Sequence, residues 1–216
     1  MWWRRTVNLD QVGKHGPTMR YEPTRRRTVS PPLADAPGSG GSSVANASDD
    51  EDHANLANRF MPKTSAGLLM YRIRDEGVDV LLVHLGGPFW QKKDLGAWFL
   101  PKGELEPGED PLAAARREFE EETGGQAVGT FMPRGDVRQK SGKVVMAWAV
   151  EGDWNPARLE SNTFTMEWPP KSGRQREFPE IDRAAFFSIP AARRKIHPAE
   201  EPFLDRLIEQ LRRPQG

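Results

Sequence analysis

GELEPGEDPLAAARREFEEETG, Gly103–Gly124, is the stretch that decides how this chain reads. Its middle predicts a helix over 111–123 with both ends marked. Asp110 suits a capping position and Pro111 the first helical position, where a missing N–H costs nothing. Gly124 suits the left-handed residue that follows a last turn. Between them, Ala113, Ala114, Ala115, Arg116, Arg117 and the glutamates are strong helix formers. At about 100° per residue, Leu112, Ala115 and Phe119 fall together as the buried stripe. Glu118, Glu121 and Glu122 fall on a neighbouring arc of roughly 100°, with Ala114 inside it leaving space and Arg117 on its flank. Three carboxylates converging beside a core repel one another and raise one another's pKa. A bound divalent cation removes that conflict. An all-oxygen ligand set favours magnesium, or manganese, over softer metals. The plain alternative is a solvated face of Glu–Arg pairs.

Working outward, the 216 residues suit one domain with extensions, or two small domains. Lys plus Arg and Asp plus Glu number 31 each, so no overall charge draws the chain to nucleic acid or membrane. Cysteine is absent, which excludes disulfides, thiolate zinc sites and cysteine nucleophiles and fits a reducing cytoplasm. No apolar run is long enough for a spanning helix, and MWWRR lacks the apolar stretch of a signal peptide. A cytoplasmic protein is the expectation. Residues 1–60 are expected to form a disordered extension and linker, because their polar, Pro- and Gly-rich composition buries too little apolar surface. The shift in composition at Phe60–Pro62 makes Met61 a candidate alternative translation start. The folded domain is expected over 61–213.

Within it, strands are predicted at 66–73, 78–85, 97–101, 126–137, 143–150 and 162–168. Asp75-Glu76-Gly77 makes a hairpin turn. Residues 86–96 and 168–180 read as loops, 184–189 as a strand or the start of a helix, and 198–213 as a closing amphipathic helix. Strands on both sides of one central helix imply a layered α/β (α+β) domain around a mixed sheet.

The spacing is more specific than the helix. Gly103, five residues, Glu109, seven residues, Arg117-Glu118-Phe119, one residue, Glu121-Glu122, one residue, Gly124 resembles the Nudix box. Even with Phe119 set aside, the seven other residues at fixed spacing arise by chance on the order of once in a million, at roughly 7% usage each. LPKG at 100–103 and the strand order extend the likeness to most of 64–213. One position departs: Gly125 stands where the family has an aliphatic residue, which puts packing at the helix exit in question.

The resemblance implies an α/β/α sandwich and a magnesium-dependent pyrophosphohydrolase. Its substrate would be a nucleoside diphosphate linked to another group, such as diadenosine tetraphosphate or a nucleoside triphosphate. Glu118, Glu121 and Glu122 would bind magnesium, with the Gly103 carbonyl joining them, and Arg117 would orient a glutamate, Glu109. Glu121 within the box, or Glu180 and Glu177 outside it, would serve as general base. Lys102, Lys92 and Arg174 could meet phosphate, as could Lys93, Lys171 and Arg176. Trp90 is the stacking candidate for a base, ahead of Phe89, Trp98, Trp148 and Trp168. His84 reads as structural. The competing expectations are a Nudix-fold module that senses nucleotide without turnover, and nucleic-acid binding through the basic arm at 1–27, set against a disordered extension without function. The expected partner is a small nucleotide. The sequence leaves the oligomeric state open.

Overall fold

The computed structural model describes residues 63–213, together with strands β1 (Arg4–Val7) and β2 (Met19–Glu22), which pair antiparallel. The remainder of the expected disordered extension over 1–60, and Met61, lie outside the described residues.

β3 (Thr64–Arg74) and β4 (Gly77–Leu85) form a hairpin closed by Asp75–Glu76, and Gly77 adopts a φ of 130° that other residues resist. The short β5 (Trp98–Phe99) pairs with β4, and β6 (Lys102–Glu104) pairs with β3. After helix α1 (Pro111–Thr123) come β7 (Met132–Arg138) and β8 (Val144–Glu151). β9 (Thr163–Glu167) and β10 (Gln175–Pro179) make a separate hairpin. β11 (Ile181–Ser188) then returns to the sheet and leads into helices α2 (Ile189–Lys195) and α3 (Glu201–Arg212).

The main sheet has the order β11-β4-β3-β8-β7, with β5 beside β4 and β6 beside β3. β3 and β8 run parallel and the other pairs antiparallel, so the sheet is mixed. Side chains alternate across it. Ala66, Leu68, Met70 and Leu81 pack with Ala114, Ala115 and Phe119 of α1. Leu69, Tyr71, Val80, Leu82, Val145, Ala147 and Ala149 pack with Ala192 of α2 and Phe203, Leu204 and Leu207 of α3. The result is the expected α/β/α sandwich.

Several expected elements differ. The strand expected over 126–137 starts only at Met132, since Gly129 at φ 141° breaks the extended run. Residues expected as loop contain β10, whose inward Phe178 packs against Phe164 of β9. The stretch expected over 184–189 is a longer strand followed directly by α2. The closing helix begins at Glu201, after a single tight turn at Pro198–Glu200. Ala114 leaves no open space beside the glutamates; it is fully buried against the sheet. Among the described residues no helix is long and apolar enough to cross a membrane.

Candidate active site

The ends of α1 are built as its residues dictate. The Asp110 side chain accepts from the Ala113 N–H at 2.9 Å, and Pro111 opens the first turn. Gly124 takes φ 73° and its N–H donates to the Glu120 carbonyl at 2.7 Å. Thr123 tightens the last turn by donating to the Phe119 carbonyl at 2.6 Å. Gly125 is explained by its neighbour. A Cβ there would stand 2.3 Å from Nε1 of Trp154, so the indole occupies the space of the family's aliphatic side chain.

So anchored, α1 lays its glutamates on β6. Glu118 and Glu122 are buried, at 1% and 4% exposure, whereas the Glu121 side chain is 41% exposed at the rim. Gly103 is the contact point. A Cβ on it would lie 1.9 Å from the Glu118 carboxyl carbon, so only glycine admits that carboxylate to the strand backbone. Glu122 Oε2 accepts from the Lys102 backbone N–H at 2.9 Å.

Arg117 organises the group. Its Nε and one terminal nitrogen donate to the two Glu109 oxygens at 2.8 and 2.9 Å, a two-pronged pair. Its other terminal nitrogen donates to Glu118 at 2.8 Å and faces Glu121 at 3.4 Å. These bonds hold the Glu109 carboxyl below the usual carboxylate range and raise the arginine above its usual value. The expected link from Arg117 to Glu109 is therefore present. Among the described residues no three acidic or histidine side chains are gathered closely enough to cage a metal ion. The donors are nonetheless all oxygens, and the side-chain-free Gly103 keeps the strand backbone open to them; both suit a hard divalent cation.

Glu180 and Glu177 part company. Asn162 donates its backbone N–H to the Glu121 carbonyl at 3.4 Å and accepts from the Glu180 N–H at 2.8 Å, tying Glu180 to the end of α1. The Glu180 side chain is buried, at 4% exposure. Glu177 is exposed on β10 and accepts from the Thr163 hydroxyl. Asn162 carries no sequence signal for this role, which depends wholly on the chain turning back over α1.

The phosphate and base candidates also separate. Lys102 and Glu104 flank Gly103, so they point to the opposite face of β6. There Lys102 Nζ stands 3.2 Å from the fully buried Glu200 and 4.5 Å from the Phe99 ring centroid. Lys143 and Lys63 join Glu104 on that face, at 3.6 and 3.0 Å. Burial lowers the Lys143 pKa. Phe99 stacks on His197 with centroids 5.1 Å apart and meets Trp90 edge-on at 5.5 Å. Burial lowers the His197 pKa, and Lys102 adds to it. Sequence reasoning missed Phe99, Lys143, His197 and Glu200. The period-2 alternation around Gly103 was the available signal for the face, but not for its partners.

Trp90 is half-buried with Lys93 over its ring at 4.3 Å. Lys92 and Arg174 are exposed on their loops. Trp98 is no platform: it is buried edge-on to His84 and Phe187, and its N–H donates to Asp94 at 2.9 Å. Trp148 packs against the core. Phe89 meets Trp168 edge-on at 5.5 Å, which docks the β9–β10 hairpin on the loop after β4. His84 is structural, as expected: fully buried, it joins Asp182 at 2.6 Å to the Lys93 carbonyl at 2.9 Å.

Residues 61–207 match the sequence profile of the NUDIX domain. The chain belongs to the Nudix family. Two curated relatives, both described as RNA pyrophosphohydrolase, match shorter stretches. That of Rhodospirillum rubrum is 41% identical over 66 residues, 29% of this chain and 38% of its own. That of Erythrobacter litoralis is 59% identical over 32 residues, 15% of this chain and 20% of its own. The chain thus spans well under half the length of the curated relatives it matches. Among solved structures, a C. elegans Ap4A hydrolase binary complex superposes with a TM-score of 0.51 at 22% identity, covering 69% of this chain and 97% of that one. The NUDIX domain of Shewanella oneidensis NrtR, complexed with ADP ribose, gives 0.50 at 14% identity, over 76% and 99%. Both likenesses concern the fold.

Proposed function

We propose that this Nudix protein is a pyrophosphohydrolase that cleaves a phosphoric anhydride bond in a nucleoside diphosphate-linked compound. The substrate classes in view are a dinucleoside polyphosphate such as diadenosine tetraphosphate and a nucleoside triphosphate. The names of the curated relatives add an RNA pyrophosphate. The observation that carries the reading is the seating of Glu118 on side-chain-free Gly103, under an Arg117 forked to Glu109.

Glu118, Glu122 and the Gly103 carbonyl would hold magnesium, or manganese in its place, with Glu121 drawn in from the rim to complete the set. Such an ion neutralises phosphate charge and acidifies the attacking water. Arg117 fixes the carboxylates' orientation before substrate arrives. Glu121, the most exposed of the three, or Glu180, whose backbone is tied to the end of α1 through Asn162, would take the proton from the attacking water. Lys102, Lys143 and Lys63 supply positive charge across β6 for the phosphate chain. Trp90 beside Phe99 supplies an aromatic platform, and Lys92 and Arg174 supply outer phosphate contacts.

The test is a magnesium-dependent hydrolysis screen over nucleoside triphosphates, dinucleoside polyphosphates, nucleotide sugars, ADP-ribose and triphosphorylated RNA, with products identified by mass. Wild type is expected to cleave at least one class. Glu121→Gln is expected to lower kcat by at least roughly 10²-fold, the typical share of one acid–base group. Equal inactivity of wild type and variant across the panel would overturn the proposal.

A further inference from the structure

Three arginines at the far edge of the sheet take no part in the site at β6. β7 carries a bulge between Pro133 and Asp136, with Gly135 at φ 73°. Arg134 within this bulge is 5% exposed. Its guanidinium donates only to neutral acceptors: to the Met132 carbonyl at 3.2 Å, the Arg206 carbonyl at 3.1 Å and the Gln210 side-chain oxygen. The nearest cation is another arginine. Arg206 of α3 donates to the carbonyls of Arg134 and Asp136 at 2.7 and 3.0 Å. Burial lowers the Arg134 pKa from its ordinary value; Tyr71 works against this, and Arg206 pushes with it. Among the described residues no ion pair balances Arg134. A buried charge left without a counter-charge is costly, and a second one beside it increases that cost.

The same residues border an open cavity of about 390 Å³, with Arg213 at its rim paired to Glu209 at 2.7 Å. That volume falls within the range of small-molecule sites. We propose that this cavity binds a phosphate group, seated against the Arg134–Arg206 pair. Guanidinium groups offer the forked donors that match phosphate oxygens, and the anion supplies the missing counter-charge. Gln210 and Asp136 at the margin suit the hydroxyls of a larger phosphorylated molecule.

The bound phosphate is not the one that reacts. Asp136, Met146, Ala66 and Gly103 lie in one row across β7, β8, β3 and β6. Three strand spacings put the cavity about 14 Å from Gly103. It also lies on the α3 face, whereas the carboxylates lie under α1. The occupant is either a free phosphorylated compound or a remote phosphate of a long substrate.

The side-chain Nε–Hε NMR signals of Arg134 and Arg206 read occupancy directly in the full-length protein. Two titrations, in EDTA so that no metal-dependent turnover intervenes, separate the sources: inorganic phosphate, and a short 5′-triphosphorylated RNA. Saturable shifts of both signals are expected in wild type, and in Arg206→Gln the remaining Arg134 signal is expected to saturate at least tenfold more weakly. Saturation by inorganic phosphate assigns a free phosphate compound; saturation by the RNA alone assigns a remote substrate phosphate. If Arg206→Gln loosens α3, the exposed Arg213→Gln provides the second variant, with a smaller weakening expected. The proposal fails if neither probe moves the two signals in wild type, or if the Arg134 shift persists unweakened in both variants. Because hydrolysis is never measured, failure here leaves the catalytic reading intact, and the converse holds.

Discussion

Gly103 and Gly125 lack side chains for two different steric reasons, and each makes a separable prediction. At Gly103 an added methyl would collide with the Glu118 carboxylate, which is buried and held by Arg117. Gly103→Ala is expected to lower kcat by roughly 10²-fold through displacement of Glu118. Steady-state kinetics should show this with the fold retained in circular dichroism. At Gly125 the obstacle is the Trp154 ring. Gly125→Val is expected to destabilise by about 1–3 kcal/mol, as overpacking does. Chemical denaturation should show the loss and its partial recovery in the double variant with Trp154→Ala. Arg117 carries a pH prediction. Its fork holds the Glu109 pKa below the unfolded value of about 4.3. A depressed carboxylate stabilises the fold above the unfolded pKa and loses that contribution as pH falls through the folded pKa. Arg117→Ala should therefore cost about 1.5–3 kcal/mol near neutral pH. The gap to wild type should close in denaturation curves taken below about pH 4.

At the scale of elements, α1 was legible to the residue because its signals are local. Asp110, Pro111 and Gly124 each act within one turn of themselves. Asp110→Ala is expected to cost about 1 kcal/mol. Calorimetry should read this as a melting temperature lower by about 2–4 °C. The β9–β10 hairpin was half legible. β9 shows in the alternation of Phe164 and Met166, but β10 carries Gln175, Arg176 and Glu177 on an exposed surface, so no apolar period marks it. Its strand character comes from pairing with β9, a cross-strand effect that a linear pattern cannot express. One of the hairpin's contacts with the loop after β4 is the edge-on pair of Phe89 and Trp168, alongside the close approach of Phe164 to Gly87. Trp168→Ala should loosen it, raising amide exchange in residues 163–179 without altering exchange in α1. An unchanged exchange profile would show that the pair contributes nothing.

At the scale of the molecule, two faces of one sheet do different work, and β6 is the partition between them. The carboxylates sit under Gly103, while Lys102, Glu104, Lys63, Lys143 and Glu200 meet on the other side. Lys102 was expected to meet phosphate from its place beside the box glycine. Its contact with Glu200, nearly a hundred residues away, depends on the last helices folding back over β5 and β6. The sequence alone determined α1 with its caps, several alternating strands of the sandwich and the family, because each depends on spacing within a short segment; the Arg117–Glu109 pairing was only what the family resemblance implied, and the fold supplied it. Only the tertiary structure decided that Ala114 is core, that Trp98 is sealed against His84, that Asn162 carries Glu180 to the end of α1, and that Arg134 lies buried beside Arg206. Each of these is a contact between segments distant along the chain. Such contacts are set by how the sheet is ordered and which face each helix covers, which no local pattern of residues encodes.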